Sequence, residues 1–220
     1  MKEQNKFFDI KIFLGGLILI GIYLLLPSEI LSFFVTFGLG ANLSIILTYI
    51  VLAVLIGSLF RKRLVNDAKT FKFKMFTDSI PYYVKGFIWM VVTSIIISYF
   101  NIGTNMNEEA NQVIMNNYPL AEILSAAIFS PFIEELVFRG SFTKLSSNNK
   151  VFIIITALLF SFTHILGSIY YVKDILLVVP YLGLSLVFGL VYKKHNNIYV
   201  SMLMHAIHNS IYLVIYFIIW

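Results

Sequence analysis

Long apolar runs, separated by short polar or charged segments, make up most of the chain. Seven of these runs are long enough to form membrane-spanning helices, because about 20 apolar residues cross the hydrocarbon layer of a bilayer. Their expected bounds are 12–29, 41–60, 81–100, 119–139, 151–168, 175–192 and 198–218. The pattern predicts an all-α fold, a polytopic transmembrane helical bundle of about seven spans.

The stretch from Ile30 to Gly40 is apolar as well, and three alternatives are open for it. It lengthens the first helix past Pro27, re-enters the membrane, or lies at the membrane interface. Hydrophobic residues make up 59% of the chain and charged residues 12%, whereas about 25% of an ordinary soluble domain is charged. We therefore expect a single membrane domain over residues 1–220, with three spans and their loops in residues 1–117.

The basic residues are distributed unevenly between the loops. With the N-terminus inside, 15 of the 16 Lys and Arg residues fall on the inner side and only Lys173 falls outside, as the positive-inside rule requires. The basic residues at the N-terminus include Lys2, Lys6 and Lys11, and many others lie between Arg61 and Lys74. The net charge of +5 is thus a sign of topology and of contact with anionic lipid, not of nucleic-acid binding.

Several polar residues lie inside the apolar runs, where burial in lipid is costly. They fall on the fourth, fifth and seventh expected spans: Glu134, Glu135, Arg139, His164, His205, His208 and Asn209. Each has a structural explanation when taken alone, such as an ion pair at a helix end or a hydrogen-bonded core histidine. Their convergence from three helices favours a functional site.

Helical spacing orders the residues of the fourth span. Glu135 and Arg139 are four residues apart and can pair on one face, whereas Glu134 points about 100° away from Glu135. Pro131 can kink the helix and free a backbone carbonyl. If Arg139 marks the cytoplasmic end of this span, the site lies in the cytoplasmic half of the membrane, open to cytosolic water.

Two kinds of chemistry suit this set of side chains. A carboxylate and a neutral imidazole can deprotonate a water, while a second imidazole and an amide donate hydrogen bonds to an oxyanion. Two histidines and a glutamate are also a three-ligand set for catalytic zinc, here Glu134, His164 and His205. The chain contains no cysteine, which excludes a cysteine nucleophile and a thiolate metal site, and it contains no HExxH or GxSxG motif.

Three spaced motifs occur in order on separate expected spans: EExxxR, FxxxH and HxxxN. They are formed by Glu134, Glu135 and Arg139, by Phe160 and His164, and by His205 and Asn209. In these motifs the sequence resembles the CPBP intramembrane proteases, which include the Ras-converting CAAX endopeptidase and the bacterial bacteriocin-processing or Abi proteins. The resemblance covers the C-terminal half, so that residues 118–220 are expected to form the catalytic core.

The resemblance implies a role for each matched residue. Glu134 and His164 would activate the attacking water, His205 and Asn209 would stabilise the oxyanion, and Glu135 and Arg139 would orient the site. The implied function is an intramembrane endopeptidase that cuts a membrane-associated peptide or protein near the cytoplasmic face, in a bacterial cell membrane. The family is often labelled metalloprotease, so zinc stays an open cofactor. The alternative is a non-catalytic bacteriocin-immunity or partner-binding membrane protein on the same fold.

Overall fold

The structure, a computed structural model, describes residues 7–219. All regular elements in this range are helical, which confirms the expected all-α fold. Before the fourth expected span the helices are α1 Ile10–Thr36, α2 Ala41–Leu59, α3 Arg61–Thr70, α4 Phe73–Thr77, α5 Ile80–Tyr99 and α6 Met106–Asn117. After them come α7 Pro119–Leu124, α8 Ser130–Glu135, α9 Asn149–Thr163, α10 Val178–His195 and α11 Ile198–Ile219.

Five helical stretches of the described chain are long and apolar enough to cross a membrane: Ile10–Thr36, Ala41–Leu59, Phe73–Tyr99, Val172–His195 and Ile198–Ile218. The chain is therefore a multi-pass integral membrane protein, but the expected count of seven spans is not confirmed. The fifth expected span, 151–168, is the shorter apolar helix α9, which ends at Thr163. The fourth is divided by changes in its hydrogen-bonding pattern.

The first helix shows which alternative holds for the apolar stretch after Pro27. α1 continues past this proline to Thr36, so most of the stretch lengthens the first helix. The helix begins at Asp9, whose Oδ1 accepts hydrogen bonds from the backbone amides of Lys11 and Ile12 at 3.0 and 3.3 Å. Such a side chain satisfies amides that have no partner within the helix. Lys2 and Lys6, which contributed to the prediction of an inside N-terminus, lie outside the described residues.

The fourth expected span is a run of helical turns over residues 119–140, which we call the bulged helix. Two π-helical stretches, Ser125–Phe129 and Leu136–Gly140, lie on either side of α8. The Ser130 amide donates to the Ser125 carbonyl, and the Ser141 amide donates to the Leu136 carbonyl at 3.0 Å, five residues back in each case. A π-turn adds a residue to the helical turn and thereby rotates the side chains that follow it.

One end of the bundle gathers most of the basic residues, and we call it the basic end. Arg63 of α3 donates to the backbone carbonyl of Asn196 at 3.0 Å, between α10 and α11. Lys193 donates to the carbonyl of Thr143 at 3.0 Å, in the loop before α9. The segments that the charge pattern assigns to the inner side therefore meet in space.

The opposite end, which we call the loop end, contains the segment between α5 and α7 and the segment between α9 and α10. Asn105 donates from Nδ2 to the Tyr181 hydroxyl at 2.5 Å, and the Met106 amide donates to Ser168 Oγ at 2.9 Å. Lys173, the one basic residue that the charge pattern places outside, donates to the carbonyl of Asn101 here at 3.4 Å.

A layer of aromatic side chains fills the bundle towards the basic end. Phe138, Phe142, Phe152 and Tyr192 come from the bulged helix, the following loop, α9 and α10, and all four are 0% exposed. Phe152 stacks on Tyr192 with a ring separation of 5.5 Å. This aromatic layer forms the floor beneath the polar residues described next.

Candidate active site

Glu135 and Arg139 form an ion pair inside the bundle. Arg139 Nη1 lies 3.0 Å from Glu135 Oε1, and both side chains are fully buried, which confirms the pairing expected from their spacing. Arg139 Nη2 also donates to the hydroxyl and the carbonyl of Ser185 on α10, at 2.8 and 3.1 Å. Its guanidinium lies over the Phe160 ring at 4.8 Å, an arrangement that favours a cation.

Arg139 lies one residue before the end of the bulged helix at Gly140, and its position at the cytoplasmic end of the span stays a prediction. The side chain is 0% exposed, because Glu135 and Ser185 supply polar partners within the bundle and remove the need to reach water.

His205 lies between the two glutamates. Its Nδ1 is 3.1 Å from Glu135 Oε1 and its Nε2 is 3.7 Å from Glu134 Oε2. The ring stacks on Phe188 at 4.8 Å and meets the edge of Phe160 at 5.6 Å. One oxygen of Glu135 therefore contacts both Arg139 and His205, which fixes the orientation of the imidazole.

Glu134 has a different partner from its neighbour Glu135. Its Oε1 accepts a hydrogen bond from the hydroxyl of Tyr23, on α1, at 2.8 Å. The side chains of Glu134 and Glu135 thus point in different directions, as expected, and form hydrogen bonds with different residues. Sequence reasoning did not identify Tyr23, because a single tyrosine in an apolar span has no pattern that links it to a residue more than 100 positions away.

His164 caps the C-terminal end of α9, rather than lying within a span that continues to residue 168. Its Nδ1 lies 2.8 Å from the Phe160 carbonyl. A carbonyl oxygen can only accept, so Nδ1 carries the hydrogen and Nε2 of the neutral ring has the free lone pair. The ring lies between those of Phe160 and Tyr181, at 4.3 and 4.9 Å.

Asn209 is held by a carbonyl that the bulged helix leaves free. Its Nδ2 donates to the Ala126 carbonyl at 2.8 Å. In the π-turn the Ser130 amide bonds to Ser125, and the next amide, at Pro131, has no hydrogen. The Ala126 carbonyl therefore needs a partner from another helix, which agrees with the expectation that Pro131 frees a backbone carbonyl.

A cavity of about 720 Å³ joins these residues. All four side chains expected to be catalytic line it, namely Glu134, His164, His205 and Asn209. Glu135 and Arg139 are not among the lining residues and lie behind His205. His208 also lines the cavity, and its Nδ1 lies 3.3 Å from the Tyr83 hydroxyl.

The cavity extends to the loop end of the bundle. Its wall there includes Asn101, Ile102, Gly103, Asn105, Asn107, Glu108 and Asn111. The last three belong to α6 and the others to the segment before it. Among the described residues, three segments at the basic end contribute nothing to the lining: α3, the loop at 141–148 and the turn at 193–197. The four residues of the aromatic layer do not line the cavity either.

The polar residues of this wall that sequence reasoning missed include Tyr23, Tyr49, Glu122 and Tyr181. One of them had a usable signal, because Glu122 is a carboxylate in the same expected span as Glu134. The tyrosines had none, since thirteen tyrosines are spread along the chain.

The zinc alternative can be compared with the spacing of the side chains. Among residues 7–219 no group of three or more His, Asp or Glu side chains is arranged to hold a metal ion. Glu134, His164 and His205 thus do not form a ready three-ligand set, and we derive no step through a metal.

Comparison with known proteins finds a family model and several relatives that match parts of the chain. Residues 116–211 match the family model described as type II CAAX prenyl endopeptidase Rce1-like. The chain is similar to UPF0177 protein YvdC of Lactococcus lactis subsp. lactis (strain IL1403), with 31% identity over 59% of this chain and 48% of that protein. UPF0177 protein YxdF of the same strain is 31% identical over 53% of this chain and 60% of its own length.

The matches to these relatives are partial. A third similar protein, UPF0177 protein YajF of the same strain, is 33% identical over 34% of this chain and 37% of its own length, and the chain spans about half the length of the curated relatives it matches. No solved structure matches it. The matched segment contains all seven residues of the three motifs, and the match supports a protein of the membrane-protease kind. Over residues 116–211 the chain is similar to the Rce1-like family of type II CAAX prenyl endopeptidases.

Proposed function

We propose that the protein is an intramembrane endopeptidase that hydrolyses a peptide bond of a membrane-associated peptide or protein in the cavity around Glu134. The observation that supports this best is the convergence of Glu134, His164, His205 and Asn209 on one cavity from three separate parts of the chain. Acyl hydrolysis by an activated water needs a carboxylate, an imidazole with a free lone pair and two further polar groups.

The first step assigned to the site is attack by water. Glu134 keeps Oε1 on the Tyr23 hydroxyl, which leaves Oε2 to bind the water. His164 Nε2 has the lone pair that accepts a proton. The oxygen of the water forms a bond to the carbonyl carbon of the substrate, and the displaced π-electron pair becomes the oxyanion.

Collapse of the tetrahedral intermediate completes the reaction. Asn209 uses one amide hydrogen on Ala126 and has a second for the oxyanion, and His205 Nε2 is placed to donate when it is protonated. The proton taken from the water passes to the leaving nitrogen as the C–N bond breaks. Glu135 and Arg139 have no contact with the substrate in this scheme, because they hold His205 from behind.

The sequence favoured access from the cytoplasmic face, whereas the position of the cavity supports the opposite one. Its wall includes α6 and the segment before it at the loop end, and the aromatic layer lies between the cavity and the basic end. The basic end faces the cytoplasm by the positive-inside rule. We therefore propose that the substrate reaches the site from the outer side of a bacterial cell membrane.

Comparative profiling of peptide termini in host membranes tests the proposed activity. Membranes with the wild-type protein are compared with membranes that contain Glu134→Gln or Asp78→Asn at equal protein levels. Asp78 is a matched control, because it is an exposed carboxylate paired with Lys74 outside the cavity. We expect new termini with wild type and Asp78→Asn that are absent with Glu134→Gln. Fragments that persist with Glu134→Gln would overturn the proposal in favour of a non-catalytic protein.

A further inference from the structure

Glu122 is a buried carboxylate in the same cavity, and the proposed reaction does not use it. Its residue is 5% exposed, and its side chain lines the cavity. The hydrogen bond described for its carboxylate comes from Ser125, one turn further along the same helix, at 3.4 Å. Within residues 7–219 no Lys, Arg or His lies within ion-pair distance of Glu122. Burying a charged carboxylate without a cation is costly, so the ionised form of Glu122 would be stabilised by a cation that a ligand brings.

The charges around the cavity also favour a positively charged ligand. The described residues of its wall include three carboxylates, Glu108, Glu122 and Glu134, and no Lys or Arg. Arg139 is already paired with Glu135 behind the wall. Because charges interact more strongly where water is excluded, a positively charged group on a ligand would be favoured in this cavity.

The bulged helix explains why Glu122 faces the cavity together with Glu134. The two residues are 12 positions apart, which in a regular α-helix would turn their side chains about 120° away from each other. The extra residue of the π-turn at Ser125–Phe129 reduces this offset to about 20°. Both carboxylates therefore line one wall, about 17 Å apart along the helix axis.

This separation corresponds to a definite length of substrate. An extended chain advances about 3.3 Å per residue, so roughly five residues span the distance between the two carboxylates. We infer that Glu122 is a specificity-determining residue that binds a Lys or Arg side chain of the peptide, about five residues from the bond cut at Glu134. The inference rests on the proposed endopeptidase function and adds a substrate class to it, peptides with a basic residue at that position.

A binding measurement tests this subsite without relying on catalysis. Glu134→Gln protein is placed in nanodiscs of phosphatidylcholine, which carries no net charge, and titrated with a short fluorescent alanine and leucine peptide that has one central lysine. The comparison peptide has glutamine in place of the lysine. We expect the lysine peptide to bind about tenfold or more tightly than the glutamine peptide.

Three further substitutions in the Glu134→Gln background assign the preference to Glu122. Glu122→Gln should remove it, whereas Glu109→Gln, which changes an exposed carboxylate on α6 outside the cavity wall, should leave it unchanged. Ser125→Ala keeps the carboxylate and should retain the preference, which separates loss of charge from local misfolding. Equal binding of the two peptides to Glu134→Gln protein, or a preference that survives Glu122→Gln, would overturn the inference.

Cleavage sites provide the second readout and separate the two proposals. If Glu134-dependent termini occur without a basic residue near the cut, the protease function stands and the subsite is wrong. If the lysine peptide binds through Glu122 but no Glu134-dependent termini occur, the subsite stands and the protease function is wrong. With both correct, Lys and Arg are enriched near the cut in wild-type membranes and lose their enrichment with Glu122→Gln.

Discussion

Glu135 Oε1 lies 3.1 Å from Nδ1 of His205, and both side chains are buried. The same oxygen lies 3.0 Å from Arg139 Nη1, so one carboxylate oxygen serves two positively polarised groups. This relationship separates the adjacent glutamates: Glu134 faces the cavity, whereas Glu135 holds the residue that faces it. Glu135 is a positioning residue in the proposed mechanism, not a catalytic one.

Removing Glu135 should destabilise the protein more than removing Glu134. Glu135→Ala leaves the fully buried Arg139 without its ion-pair partner, and breaking such a pair costs about 3 to 5 kcal/mol. Glu134→Ala loses a hydrogen bond from the neutral Tyr23, which is worth about 1 to 2 kcal/mol. Thermal unfolding of the two variants in the same detergent measures the difference. Equal loss of stability would contradict the buried ion pair.

Tyr23→Phe should slow peptide hydrolysis without unfolding the protein. The hydroxyl donates to Glu134 Oε1, and its loss removes one hydrogen bond that orients the carboxylate, which we expect to cost about tenfold in rate. Tyr83→Phe is the matched control, because the Tyr83 hydroxyl contacts His208 instead. The rate at which Glu134-dependent fragments form gives the comparison, and equal rates for the two variants would show that Tyr23 does not orient Glu134.

The apolar runs predicted most helix positions closely, because burial in lipid imposes the same length and composition on every span. α2 was expected at 41–60 and occupies Ala41–Leu59, and α5 was expected at 81–100 and occupies Ile80–Tyr99. The π-turns of the bulged helix were not predictable, because they depend on partners such as Asn209 that lie far away in the sequence.

The site could be predicted in part for a related reason. Motif spacing places residues on one face of one helix, so the pair of Glu135 and Arg139 followed from the sequence. The complete burial of Arg139 did not follow, since it depends on Ser185 from another helix. Tyr23 and Glu122 belong to none of the three motifs, and only the assembled bundle brings them to the cavity wall.

Pro131→Ala should impair the reaction by restoring a backbone amide hydrogen. The new N–H would compete with Asn209 for the Ala126 carbonyl, to which Asn209 Nδ2 now donates at 2.8 Å. Asn209→Ala should reduce fragment formation at least as much, because it also removes the amide hydrogen assigned to the oxyanion. The double variant should be no slower than Asn209→Ala alone, since Pro131→Ala acts through the same residue. Pro119→Ala, at the start of the bulged helix, is the control. Additive losses in the double variant would show that the two residues act separately.

Single-cysteine labelling should show that the cavity is open to the outside of the cell. The natural chain has no cysteine, so each introduced thiol is the sole target in the protein. Ser130→Cys lies in the cavity wall, and Lys69→Cys lies on the exposed surface of α3 at the basic end. A membrane-impermeant thiol reagent added to intact cells should label Ser130→Cys and stop fragment formation, while Lys69→Cys reacts only after the membranes are opened. If Ser130→Cys also reacts only in opened membranes, the cavity faces the cytoplasm and the proposed direction of access is wrong. Labelling of Lys69→Cys in intact cells would contradict the orientation assigned from the basic residues.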